Sequence, residues 1–246
     1  MAQDGARKRA AELRAAQETA ERKRRNRVTG VVVVVVLAVV AGIVIAATSG
    51  SKRKSPAATP QPTSSGARLT GPAGPEGIVL ETGTPLAPAA TPANGQPVDG
   101  IQCNSSEQVA YHIHTHLAIF VNGTLRPVPG GIGMVTPQSQ DTPNGPFFGA
   151  TQCYYWLHVH AQDGIIHIES PTSATYTLGQ FFAEWGQPLT ATQVGPAKGA
   201  VTAYVNGKAF TGNLADIPLA SHEDVQLDVG SPAVAPLTVD WSKAQL

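Results

Sequence analysis

Histidine recurs at every second position in two short stretches, and a period of two belongs to strands rather than helices. The first is His112-Ile113-His114-Thr115-His116. The second runs from Tyr154 to Glu169 and reads as a β-hairpin: aromatic and β-branched residues fill both arms, and Asp163-Gly164 supplies a turn. Alternation puts Leu157, Val159, Ile166 and Ile168 on one face, and His158, His160, His167 and Glu169 on the other. A two-residue loop sets His160 opposite His167, and a four-residue loop sets His158 opposite His167. Both registers have the same parity, so the three imidazoles share a face either way. A three-residue loop would break this.

Six of the seven histidines therefore fall in two clusters. Neutral imidazole is the commonest metal ligand near neutral pH, and cross-strand neighbours have Cβ atoms about 4.5–5.5 Å apart. We expect His158, His160 and His167 to share a divalent transition metal, joined by at least one of His112, His114 and His116. Glu169 is the first candidate to orient a ligand from outside the shell, with Asp163, Thr115 and Gln162 beside it. Imidazole ligation suits zinc or copper(II) above all, and scarce Met and Cys disfavour a copper(I) site. The opposing reading is a set of histidines held by ordinary hydrogen bonds.

Three function classes follow. One is an anchored metal-binding protein for sensing, buffering or delivery. Another is an enzyme in which three histidines leave an open position that activates water. In arrangement it resembles the zinc site of α-type carbonic anhydrases and the His-x-His strand of cupins, without cupin spacing or a complete nucleophile set. The last is a metal-free interaction module.

The formal net charge of zero averages two unlike halves. Residues 1–27 carry nine basic against four acidic residues, a balance of +5, and read as a basic arm. Residues 101–246 carry four basic against ten acidic residues, a balance of −6, which argues against a nucleic-acid partner. Between them, Val28 to Ala47 is a run of twenty uncharged residues. At 1.5 Å per residue it spans roughly 30 Å, the thickness of a bilayer core. It is too long for a signal-peptide core. The basic excess before it places the N-terminus in the cytoplasm and the remainder outside. Membrane lipid is the expected partner of anchor and arm. The sequence names no protein partner.

Residues 48–100 are dense in Pro, Ala, Thr, Ser and Gly and read as a disordered tether, with Ile78-Val79-Leu80 its one apolar patch. A β-rich domain is expected over 101–230, with 231–246 a loosely held tail. Cys103 and Cys153 are the only cysteines, and on the exported side a disulfide is the leading reading; free buried thiols or a thiolate ligand are the alternatives. Tyr111 to Val121 reads as a long interior strand turning at Asn122-Gly123. Residues 129–149, rich in Gly and Pro, read as a long surface loop lying over the histidine face. Thr177 to Gly186 reads as a short helix with a capping box from Thr177 and Gln180 and a Gly186 stop. Leu178, Phe181, Phe182 and Trp185 form its core stripe. Val201 to Phe210 is a strand pair around Asn206-Gly207, and Asp224 to Val229 alternates Val225, Leu227 and Val229 inward. The expected class is thus mainly β (α+β), with one transmembrane helix before it.

Hairpin, short helix, Val-Asn-Gly strand, Ile217-Pro218-Leu219 and Glu223-Asp224-Val225-Gln226-Leu227 follow in an order that resembles the ubiquitin-like β-grasp fold over residues 154–230. The Thr-Leu helix opening and the Leu-x-x-x-Asp-x-Val pattern are similar to those of the small sulfur-carrier proteins. Carrier chemistry needs a C-terminal Gly-Gly. This chain ends Lys243-Ala244-Gln245-Leu246, so the resemblance implies a fold and no carrier activity.

Overall fold

Tyr111–Val121 forms the central strand of a computed structural model that describes residues 68–246. In chain order the elements are β1 (Cys103–Asn104), β2 (Tyr111–Val121), β3 (Thr124–Leu125), β4 (Met134–Thr142), β5 (Gly145–Tyr155), β6 (Leu157–His158) and β7 (Ile165–Ser170). There follow β8 (Tyr176–Thr177), helix α1 (Leu178–Trp185), β9 (Leu189–Thr190), β10 (Gln193–Val194), β11 (Ala197–Lys198), β12 (Val201–Val205), β13 (Lys208–Phe210), β14 (Pro218–Leu219) and β15 (Glu223–Val229). The main sheet has the order β13-β12-β15-β2-β7-β6, with β3 folded back on β2. The β2 strand runs parallel to β15 and antiparallel to β7. Asn122 and Gly123 both take positive φ (50° and 77°), as a type I′ turn requires.

The odd positions of β2 face the apolar core. Leu117 and Ile119 pack there with Ile166 and Ile168 of β7 and Val225, Leu227 and Val229 of β15. Helix α1 covers this face, burying Leu178, Phe181, Phe182 and Trp185. Its reciprocal capping box and left-handed Gly186 are as the sequence predicts. The even positions of β2 face the other side. There His112, His114 and His116 lie at one end, and Ala118 and Phe120 at the other, packed with Leu237.

Two expectations need correction. Residues 134–155 are a long β-hairpin, not a surface loop. Pro137 misled the reading: it sits in β4, the edge strand of the order β1-β5-β4, beside a bulge between Val135 and Pro137, where a missing N–H is tolerated. Likewise, Tyr154 to Glu169 is not one hairpin. Tyr154 and Tyr155 belong to β5, pairing with β1 and, at Tyr154, with Met134 of β4. The chain bends at Trp156, and only Leu157 and His158 pair with β7. The observed register sets His158 opposite His167.

The described chain outside 101–230 also makes ordered contacts. Residues 68–100, read as tether, lie against the domain. Ile78 and Leu86 are buried. Glu81 and Gln162 exchange two hydrogen bonds of 2.7 Å, the Tyr155 hydroxyl accepts from the Gly95 N–H, and Trp185 donates to Pro88 O. Extended Pro-rich chain docks without secondary structure of its own when its backbone groups find partners. Residues 231–246 are held similarly: the N–H groups of Val234, Leu237 and Val239 donate to Asp228, Gln226 and Asp224 on the outer face of β15. No helix among the described residues is long and apolar enough to cross a membrane. The arm, the Val28–Ala47 run and residues 48–67 lie outside the described residues.

Candidate metal centre

Alternation and register together build this site. Cross-strand pairing places His112 opposite Glu169 and His114 opposite His167, all on the even face of β2. Pairing of β6 with β7 adds His158 on the other side of His167. His160 lies beyond β6, in the irregular segment 159–164, and is held by main-chain bonds. Its carbonyl accepts from the Phe148 N–H at 2.8 Å, and its Nδ1 donates to Phe148 O at 2.6 Å. The Phe147 ring stacks flat on its imidazole, centroids 4.5 Å apart. The β4–β5 hairpin therefore does lie over the histidines, as an ordered wall.

The hydrogen bonds fix the tautomers. A carbonyl can only accept. His158 donates Nδ1–H to Tyr155 O at 2.8 Å, and His160 donates Nδ1–H to Phe148 O. Both neutral rings then carry a bare Nε2, and these two atoms face each other 3.1 Å apart. On the other side, His167 bonds through Nε2 to Glu76 Oε1 at 2.5 Å. Its Nδ1 lies 3.2 Å from His114 Nε2 and 3.3 Å from Glu169 Oε1. His112 Nε2 reaches the same carboxylate oxygen at 2.9 Å.

Electrostatics sharpen the picture. Burial, then the charge of His167, lowers the His158 pKa to about 4. Burial, His158 and His167 lower that of His160 to about 2. Burial with His167 and His112 lowers that of His114 to about 2. Burial also opposes charge on His167, but hydrogen bonds to Glu169 and Glu76 outweigh it and raise its pKa to about 9. Burial would raise the Glu169 pKa; His112 and His167 overcome it and hold the carboxyl well below its ordinary range.

Among the described residues, three sets offer ligand atoms mutually within 4.8 Å: His112, His114, His167 and Glu169; His158, His160 and His167; and Glu107, His158 and Glu169. The expected trio His158, His160 and His167 is thus brought together, with His112 and His114 alongside. These buried His and Glu groups could hold a metal ion. His116 is not part of any set: β7 offers it Ile165 as cross-strand partner, and its Nε2 faces Glu81 Oε1 at 3.4 Å, both groups buried. Cys103 and Cys153 form a disulfide, which removes thiolate from the donor list.

Sequence reasoning missed Glu76 and Glu107. Glu76 lies in the Pro/Gly-rich segment and Glu107 in the approach to β2, and no periodicity marks either. Of the other residues considered as supports, Asp163 caps its own turn by accepting from the Ile165 N–H at 3.1 Å, and Thr115 donates to Ala220 O. A cavity of about 460 Å³, lined in part by Glu107, His112, His160, His167 and Glu169, opens from the cluster to solvent. Set beside known proteins, the chain matches no family model, no curated protein and no solved structure.

Proposed function

We propose that this is a membrane-anchored extracytoplasmic protein whose β-rich domain binds a divalent transition metal through strand-borne histidines, for sensing, buffering or delivery. One observation carries the reading: the facing bare Nε2 atoms of His158 and His160. Two lone pairs at that distance repel, and the depressed pKa values leave no proton between them at neutral pH. Two nitrogens on a tetrahedral zinc at about 2.0–2.1 Å lie about 3.3 Å apart, close to the 3.1 Å found. The main-chain carbonyls behind both rings supply the outer support that metal-bound imidazoles need. With nitrogen and oxygen donors and no free thiol among the described residues, zinc or copper(II) is the ion we assign.

The test is metal analysis of the full-length chain purified without chelators, beside a His158→Ala/His160→Ala variant. Bound zinc or copper in the parent and a lower metal content in a folded variant are expected. A parent without metal overturns the proposal. A second reading, a metal-dependent hydrolase or hydratase, is favoured by the cavity that reaches the cluster; turnover by the metal-loaded protein and none after chelation would select it.

For the fold, the β-grasp resemblance is supported by the succession of the β2/β7 pair, helix α1, the β12/β13 hairpin and β15. On this reading Tyr111–Val121, not Tyr154–His158, is the first arm, and β3 to β6 are an insertion.

A further inference from the structure

Resting on the metal-binding reading, we propose that the cluster is built for two divalent ions bridged by the carboxylate of Glu169. The geometry contains two separate pairs of facing nitrogens: His158 Nε2 with His160 Nε2 at 3.1 Å, and His114 Nε2 with His167 Nδ1 at 3.2 Å. Each pair is spaced close to one edge of a tetrahedral centre.

The donors divide into two shells. The first holds His112 Nε2, His114 Nε2, His167 Nδ1 and Glu169 Oε1. Glu169 Oε1 lies 2.9 Å from His112 and 3.3 Å from His167, and the four residues offer atoms mutually within 4.8 Å. Glu76 takes the opposite nitrogen of His167 at 2.5 Å, which directs Nδ1 into this shell. The second is built on Glu107, His158 and Glu169, which offer atoms mutually within 4.8 Å, with His160 Nε2 beside them 3.1 Å from His158 Nε2. Here Glu169 Oε2 lies 3.9 Å from His158 Nε2, and Glu107 Oε1 lies 3.5 Å from His160 Nε2. These separations are near the edge of a tetrahedron around an ion with bonds of about 2 Å. The two oxygens of Glu169 thus serve different shells. Glu169 Oε2 is buried without a hydrogen-bond partner, an orphan that an ion in the second shell satisfies. A single bridging carboxylate sets two ions about 3.5–4 Å apart, the spacing of two-metal centres.

The test uses the full-length chain in detergent, stripped of metal and then titrated with Zn²⁺ and, separately, Co²⁺. Two ions per chain are expected. His112→Ala/His114→Ala and His158→Ala/His160→Ala should each retain one. X-ray absorption of the loaded parent should show metal–metal scattering at about 3.5–4 Å, lost in Glu169→Gln; this readout does not depend on how the double variants fold. One ion per chain, or two without metal–metal scattering, overturns the bridged pair and leaves the metal-binding proposal standing. No bound ion overturns both.

Discussion

Imidazoles buried nitrogen to nitrogen give the metal-free protein a distinct pH profile. In the unfolded chain His114, His158 and His160 take protons near 6.5, whereas in the folded protein burial lowers them to about 2, 4 and 2. The unfolded state therefore binds more protons below 6.5. Stability should fall as pH drops from there toward 4, by up to about 1.4 kcal/mol per pH unit for each ring. His167 acts in the opposite sense. Its pKa is raised to about 9, so its contribution is complete below 6.5 and is lost as pH rises through 9. Metal-free protein should melt highest near pH 6.5. Thermal melts between about pH 5 and pH 9 check this, and a maximum at the alkaline end contradicts it. Glu76 offers a second test at this scale. It bonds the outer nitrogen of His167 and also faces Asp163, so Glu76→Gln should weaken metal affinity by roughly 10–100-fold with the ligands themselves intact. Isothermal titration reads the change, and unaltered affinity denies Glu76 this supporting role.

At the scale of elements, the turn after His160 depends on Gly164. Its φ is +77°, and a Cβ there would stand 2.7 Å from Leu117 O and 2.8 Å from His116 Nε2. Gly164→Ala should cost more than about 1 kcal/mol, a drop of at least roughly 2–4 °C in Tm. An unchanged Tm would show that the turn relaxes freely. The Cys103–Cys153 bond ties β1, at the approach to β2, to β5, across 50 residues. On the chain-entropy account it contributes about 4 kcal/mol. Reduction should lower the denaturant midpoint accordingly, and an unmoved midpoint rejects that role. The elements themselves were legible where local chemistry fixes them. Asn122-Gly123, Asn206-Gly207 and the Thr177/Gln180 capping box act within a few residues, and all three form as read. The β4–β5 hairpin was hidden because Pro137 and the glycines imitate a loop, and only tertiary position makes an edge strand of them. Parity of the histidines was robust for the reason given by period two. The break at Trp156 was not, since it comes from competition between β5 and β6 for different partners.

For the molecule as a whole, two segments without internal periodicity are laid against the sheet domain. Residues 68–100 bring Glu76 and Glu81 to the histidines, and residues 231–246 supply backbone donors to the carboxylates and amide of β15. Average composition concealed both, because docking rests on a few apolar residues such as Ile78, Leu86 and Leu237 and on backbone hydrogen bonds. The expected topology belongs to this scale too. With Val28–Ala47 spanning the bilayer and the basic arm inside, protease added to intact cells should remove the histidine domain and spare residues 1–27. Protection of the domain would reverse the orientation. The central claim, that the facing histidines are metal ligands, is tested most directly by anomalous diffraction at the zinc and copper edges, on crystals grown without chelators. The account predicts a peak about 2.0–2.1 Å from both His158 Nε2 and His160 Nε2. No peak between those two atoms at either edge, with both rings ordered as described, would contradict it.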